Sequence, residues 1–170
     1  MTSTIETKKG MLVGKAAALA GETLDPSERT TAKRVITEFY EHVPPADVAE
    51  RSARNLGGAA LSLWRFAERR RPGQAKIRVH NPDPVADGWS SPHTIVEIVN
   101  DDMPFLVDSV TGAINASNRI VHLIIHPILT VSRSPDDGFA KFTIWARRGH
   151  ANRGCKSGSR RTRIRPTLPA

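Results

Sequence analysis

The segment from Ile95 to Val110, which reads IVEIVNDDMPFLVDSV, constrains the fold of this chain more than any other feature. Residues 94–99 form a nearly continuous β-branched run, which is typical of a strand that is buried on at least one face. The acidic segment that follows offers helix caps, and Pro104 suits the first turn of a helix. The sequence therefore predicts a strand that leads through an acidic loop into an amphipathic helix. The inner face of that helix is assigned to Leu106, Val107, Val110, Ala113 and Ile114.

Further strands are predicted after this helix. Ile120–Arg133 has strand composition, and Pro135–Gly138 has hairpin-turn chemistry ahead of another strand at Phe139–Trp145. Strand, helix, strand, strand is the order of the first four elements of a split βαββαβ unit. We therefore predict an α+β fold with an incomplete ferredoxin-like βαββ unit over residues 73–145, which lacks a second helix and a fourth strand.

A helical subregion over residues 25–72 is predicted ahead of this unit. Its first helix is capped by Asp25 or Ser27 and runs to about His42, with Val35, Ile36, Phe39 and Tyr40 on its apolar face. Its second helix begins at Pro45 and continues to the ERRRPG segment, although Gly57 and Gly58 weaken its middle. A short strand at Lys76–His80 follows. Residues 1–24 are expected to be a disordered N-terminus.

The net charge of +8 comes from the C-terminal segment alone. Residues 146–170 hold 8 of the 25 basic residues and none of the 17 acidic ones, so the rest of the chain is neutral. With only Ile164 and Leu168 as large apolar residues, this segment is predicted to be a disordered basic tail. Its composition changes abruptly where the βαββ unit is still incomplete. We therefore hypothesise that it is out-of-frame translation, which would be contradicted if neither alternative reading frame after Trp145 encodes a continuation of the unit.

Common catalytic and cofactor patterns fail on spacing. His122 and His126 lie in a predicted strand, where four residues span about 13 Å, too far for one zinc ion. Gly10–Lys15 resembles a phosphate-binding loop but is one residue short, and no GxGxxG follows a strand. We therefore predict no catalytic, metal-binding or cofactor-binding residue. A single cysteine, Cys155, and the lack of an 18-residue apolar run favour a cytoplasmic protein without a membrane partner.

Four segments, RVHNPDP, DGWSSPHT, NDDMPFLVDSV and IHPIL, occur in an order that resembles the N-terminal region of the large bacterial NAD-specific glutamate dehydrogenases. The resemblance covers roughly Phe39–Gly138, is strongest over Lys76–Arg133, and ends after about Phe142. It implies a parent enzyme that oxidatively deaminates L-glutamate to 2-oxoglutarate and ammonia with NAD, in glutamate catabolism. The catalytic and nucleotide-binding domains of that family lie far downstream, so no catalytic residue is carried over. The implied partners are the remaining domains or subunits of the dehydrogenase.

The DDMPFLVDSVTGAI segment is similar to the pattern that opens the first helix of ACT-type regulatory domains. Those domains commonly have glycine after the proline, whereas this chain has Phe105, whose ring is expected to fill the space that an amino-acid effector would need. The candidate site is an allosteric or interdomain contact loop formed by Asn100, Asp101, Asp102, Met103 and Pro104. The alternative interpretation is that these acids cap the helix and complement its dipole.

Three functions follow from these features. The first is an N-terminal regulatory and assembly fragment of an NAD-specific glutamate dehydrogenase, inactive alone. The second is a freestanding ACT-like amino-acid sensor, whose melting temperature would rise with its effector. The third is a nucleic-acid-binding protein that uses the basic tail, although a tail without aromatic residues predicts no specific nucleic-acid partner. An incomplete sheet also predicts that the isolated chain is poorly soluble or self-associates.

Overall fold

A computed structural model of the chain describes residues 2–71, 73–131 and 160–169, the last of these by backbone alone. The helices of these residues are α1 Thr2–Glu22, α2 Pro26–Tyr40, α3 Pro45–Ala49, α4 Ala53–Glu68 and α5 Leu106–Ala116. The strands are β1 Lys76–His80, β2 Ile95–Asp101, β3 Val121–Ile124, β4 Ile128–Val131 and β5 Arg160–Pro169. No helix within the described ranges is long and apolar enough to cross a membrane.

The strands form one antiparallel sheet in the order β1-β2-β5-β3, and β4 also pairs with β5. Helices α1, α2 and α4 pack against one another. Their apolar side chains share a buried cluster with Ile95, Val99, Leu123 and Leu129 from the sheet. One face of the sheet is therefore covered by the helical layer, and the predicted α+β class is confirmed.

The helical subregion agrees with the sequence in its first helix and differs in its second. α2 has Asp25 at its N-cap and buries the predicted face. The second predicted helix is divided into α3 and α4, because the chain leaves the helical conformation before Ser52. The Ser52 hydroxyl accepts a hydrogen bond from the backbone N–H of Asn55 at 3.1 Å, which caps the new helix.

The N-terminal residues form a packed helix, so the prediction of disorder over residues 1–24 is wrong. α1 buries Val13, Ala16, Ala17 and Ala20 in the core. These residues recur at helical spacing, and their small size lets α1 approach α4 closely. Lys9 Nζ also donates to the carbonyl oxygens of Glu41 at 2.9 Å and Val43 at 2.8 Å, which ties α1 to the end of α2.

The C-terminal residues also differ from the prediction. Residues 160–169 form β5, which lies inside the sheet between β2 and β3, so this part of the tail is a strand and not a disordered segment. From Arg161 to Pro166 its sequence alternates arginine with Thr, Ile and Pro, which is the period of a strand. The predicted strand Ile120–Arg133 is divided into β3 and β4. The predicted hairpin at residues 135–138 and the strand at 139–145 lie outside the described residues.

Candidate functional site

The candidate loop Asn100–Pro104 joins β2 to α5 at the end of the sheet. Asn100 and Asp101 belong to β2, where they pair with Arg163 and Thr162 of β5. The next three residues are exposed and carry the chain to the start of α5. The loop therefore leaves an inner strand of the sheet and presents its second half to solvent.

Asp101 binds the loop to the connection between α4 and β1. One carboxylate oxygen accepts a hydrogen bond from Arg70 Nη2, and the other accepts the backbone N–H of Gly73 at 2.9 Å. The Arg70 side chain is only 2% exposed, and its Nη1 donates to the carbonyl oxygen of Gln74 at 2.6 Å. A charge-assisted contact with so little exposure on one side is harder to replace by water than a surface ion pair. Asp101 therefore fixes where the loop begins.

None of these residues holds the N-cap position of the following helix, where the sequence offered the acids as caps. The N-cap residue of α5 is Phe105, which makes no side-chain cap hydrogen bond, and α5 begins at Leu106 and not at Pro104. Phe105 has a φ of 57° and a ψ of 7°, so a left-handed residue stands between the proline and the helix. The Asp101 carboxylate instead accepts a hydrogen bond from Arg70. The Asn100 side-chain amide donates to Met103 Sδ at 3.2 Å. These contacts shape the loop before the helix starts.

Phe105 differs from expectation in a second way. Its side chain is 76% exposed, so the ring does not fill the space beside the loop. A left-handed conformation suits glycine and is uncommon for a bulky residue. The backbone thus keeps the conformation that glycine would favour at this position, while the aromatic ring points to solvent. Met103, two residues earlier, is also exposed.

Helix α5 covers its apolar residues only in part. None of its residues is buried, and Ala113 of the predicted inner face is exposed. Leu106, Val107, Val110 and Ile114 are half-buried. An amphipathic helix normally buries such a stripe against a partner. The loop, with its exposed Met103 and Phe105, and the partly covered α5 together form an apolar surface, which we call the loop–α5 surface and which comprises residues 103–114.

A buried polar cluster that the sequence did not predict lies under the helical layer. Glu97 of β2 is 1% exposed and is paired with Arg78 of β1. Arg78 Nη2 also donates to Ser62 Oγ of α4 at 2.8 Å, and His80 Nε2 lies 3.5 Å from the Glu97 carboxylate. Burial raises the pKa of Glu97, and Arg78 opposes that rise. Burial and the Arg78 charge lower the pKa of His80, which keeps its imidazole neutral at pH 7.

This cluster is suited to a structural role. A small cavity beside it has a volume of about 30 Å³, which is room for one or two water molecules. Its walls include Tyr40, Arg51, Asn55, Trp89 and Glu97. Glu97 is enclosed and neutralised by Arg78, so it joins β1, β2 and α4 and does not face a substrate-sized pocket. The only sequence signal for it was an acid inside an apolar strand.

The remaining sequence candidates lie apart from one another. His122 in β3 stacks on His93 with ring centroids 4.6 Å apart, whereas His126 lies in the link to β4. Gly10–Lys15 lies inside α1 and forms no loop, as expected for a chance match. Within the described residues no group of three or more His, Cys, Asp or Glu side chains could hold a metal ion.

Comparison with protein families matches most of the chain, including the strand, loop and helix described above. The model of the family "Glutamate dehydrogenase, ACT1 domain" matches residues 35–161. The chain belongs to this family. The match continues past Trp145, whereas the sequence pattern predicted that the resemblance would end at about Phe142.

Two curated relatives give the same family. The NAD-specific glutamate dehydrogenase of Halomonas elongata is 43% identical over 98 residues, which are 58% of this chain and 6% of that protein. The NAD-specific glutamate dehydrogenase of Pseudomonas aeruginosa is 38% identical over 97 residues, which are 57% of this chain and 6% of that protein. The chain therefore spans only a small part of the length of these relatives. No solved structure matches it.

Proposed function

We propose that this ACT1-family chain is a regulatory and assembly part of an NAD-specific glutamate dehydrogenase. The observation that carries the proposal is the loop–α5 surface, which lies inside the matched residues 35–161 and leaves an apolar helix without a buried residue. Stable domains usually bury the apolar stripe of a helix fully, so a stripe that is covered only in part, beside the exposed Met103 and Phe105, favours a contact with another part of a larger protein. The parent reaction would be the conversion of L-glutamate, NAD and water to 2-oxoglutarate, ammonia and NADH.

The candidate residues Asn100–Pro104 have distinct roles in this proposal. Asp101 holds the beginning of the loop through Arg70 and Gly73, and Asn100 holds Met103 through its amide. Pro104 then leads to the left-handed residue that presents the Phe105 ring. The loop thus acts as an interdomain contact, with its first half fixed to this domain and its second half offered to a neighbour.

The isolated chain is proposed to be inactive. Among the described residues, the buried acid is enclosed and charge-paired, and the cavity beside it has room for water only. NAD would therefore bind to other domains of the parent dehydrogenase, which would also be the partners of this one. A cytoplasmic location accompanies the proposal, because a chain with one cysteine suits a reducing compartment.

The proposal can be tested with Phe105→Asn in two settings. Asparagine tolerates the left-handed backbone better than phenylalanine, so the isolated chain should keep or slightly raise its melting temperature. In a chimera, the matching 98 residues of the Halomonas elongata enzyme are replaced by those of this chain. In the chimera, Phe105→Asn should remove an interdomain contact. The variant chimera should therefore lose glutamate-dependent NAD reduction at a lower temperature than the unchanged chimera.

The control for this experiment is Val85→Asn, because Val85 is 93% exposed and lies outside the loop–α5 surface. It should leave the chimera unchanged. If Phe105→Asn has the same effect on the chimera as on the isolated chain, the loop makes no interdomain contact. NAD reduction by the isolated chain would contradict the proposed inactivity.

A further inference from the structure

His93 and His122 form a stacked pair at one end of the sheet. Their ring centroids are 4.6 Å apart, and the planes of the two rings differ by 14°. His93 is half-buried and precedes β2, whereas His122 is exposed and lies in β3. Two imidazoles from distant parts of the chain therefore lie side by side, within reach of solvent.

The position of His122 is set by an irregularity of β3. Val121 lies opposite Pro169 of β5. Leu123, two residues later in β3, lies opposite Leu168, which is only one residue earlier in β5. His122 is therefore an extra residue in β3, as in a β-bulge. Bulges redirect a side chain and are common beside functional sites, so His122 has a direction that a regular strand would not give it.

His93 is held in place by hydrogen bonds of the loop that precedes β2. Its backbone N–H donates to Ser91 Oγ at 3.1 Å. The backbone N–H of Ser90 donates to Asn55 Oδ1 of α4 at 3.1 Å, and the adjacent Trp89 is buried. The loop is therefore anchored to the helical layer just before His93. A ligand on an anchored backbone is better positioned than one on a free loop.

The two histidines lie at strands that do not pair with each other in the described sheet. β2 and β3 lie on opposite sides of β5, about 9–10 Å apart at the usual strand spacing. The end of β5 next to β3 is Thr167–Pro169, which has no charged residue, whereas the arginines of β5 lie between positions 160 and 165. A cation held by both histidines would therefore connect β2 to β3 away from the basic part of β5.

We propose that His93 and His122 together bind a zinc ion. Imidazole nitrogen is a preferred ligand of Zn²⁺, and two nitrogens that bind one tetrahedral ion at about 2.0–2.1 Å lie about 3.4 Å apart. Rings with centroids 4.6 Å apart reach this separation when they turn so that one nitrogen of each faces the other, and the terminal torsion of histidine is soft enough to allow this. The bound ion fixes the loop before β2 to β3.

The site is a weak one, because it has two protein ligands. Within the described residues no third His, Cys, Asp or Glu side chain completes the group, so water molecules would occupy the other positions on the ion. We expect a dissociation constant on the order of 10–100 µM. Zinc that binds the folded chain and not the unfolded one should raise the melting temperature by about 5 °C at about 1 mM. This inference does not depend on the proposed function.

Thermal unfolding of the full chain with and without zinc tests the proposal. His122→Phe keeps a ring for the stack but has no nitrogen ligand, so its melting temperature should no longer rise with zinc. His93→Gln is the second variant and should lose the rise as well. His42→Gln is the matched control, because the His42 side chain is 86% exposed and lies outside the pair. It should keep the full rise. Each variant is compared with its own metal-free melting temperature, so that a change in stability alone does not imitate lost binding.

Proton NMR of the histidine rings locates the ion. In the wild-type chain, one equivalent of Zn²⁺ should shift the Hε1 resonances of both His93 and His122 and leave that of His42 in place. A wild-type melting temperature that does not rise with zinc overturns the proposal. An equal rise in the wild type and in His122→Phe also overturns it, because the ion would then bind elsewhere in the chain. A shift of only one resonance of the pair would exclude a shared ion.

Discussion

At Gly58 a side chain would collide with Trp89. A Cβ atom added there would lie 2.4 Å from Trp89 Cβ, closer than any real contact. Trp89 is 4% exposed and holds the connection between β1 and β2 against α4. The sequence alone suggested that this glycine weakens the helix, whereas the structure gives the physical reason for its presence. Glycine is a poor helix former, but it fits at this position because the Trp89 indole occupies the space that a side chain would take.

Gly58→Ala should therefore destabilise the chain, even though alanine is the better helix former. We expect a loss of about 1–3 kcal/mol, from overpacking against a rigid indole, and a melting temperature lower by about 5 °C. Gly14→Ala is the matched control, because nothing lies within 4 Å of a Cβ added to that helical glycine. Thermal unfolding should show the control unchanged or more stable. An equal shift for both variants would mean that Trp89 does not restrict Gly58.

Among the elements, α4 depends on a polar residue at its beginning. The chain turns between α3 and α4, and the Ser52 side chain accepts the Asn55 N–H at 3.1 Å. Asp25 holds the same position before α2 but makes no side-chain cap hydrogen bond. The two helices therefore allow a direct comparison between Ser52, which forms a side-chain cap hydrogen bond, and Asp25, which does not.

Ser52→Ala should cost about 1 kcal/mol of unfolding free energy, the usual contribution of a helix N-cap. Asp25→Ala should cost clearly less, because Pro26 already sets the first turn of α2 and no cap bond is lost. Urea denaturation of both variants measures the difference. If the two losses are equal, the Ser52 hydrogen bond does not stabilise α4.

Local sequence patterns predicted the elements that have apolar periodicity or capping residues within their own sequence. α2, β1 and β2 were found because apolar periodicity and caps mark them, and the loop Asn100–Pro104 was found because acids and a proline follow an apolar strand. α1 was missed because its core face consists mostly of alanine, a weak apolar signal. The contact between Asp101 and Arg70 was missed because it joins residues 31 positions apart, which no local pattern reports.

The whole sheet depends on the strand that was hardest to predict. β5 pairs with β2 on one side and with β3 and β4 on the other. Its pairing with Asn100 and Asp101 also supports the beginning of the candidate loop. The high positive charge of residues 160–169 predicted disorder and concealed their partial alternation of residue types. Pairing with the distant strands β2, β3 and β4 nevertheless makes this segment a strand. The backbone of this basic segment therefore belongs to the fold.

Deleting residues 160–170 should therefore disrupt the sheet and not merely trim a tail. Without β5, β2 is separated from β3 and β4, and the backbone groups that face it lose their partners. We expect the truncated chain to lose strand signal in far-UV circular dichroism and to lose its cooperative thermal transition. The triple variant Arg161→Gln, Arg163→Gln, Arg165→Gln is the control, because it removes charge but keeps the strand backbone. Its cooperative transition should persist, because the backbone pairing of β5 with β2, β3 and β4 is retained. A truncated chain that melts like the wild type would show that β5 does not hold the sheet together.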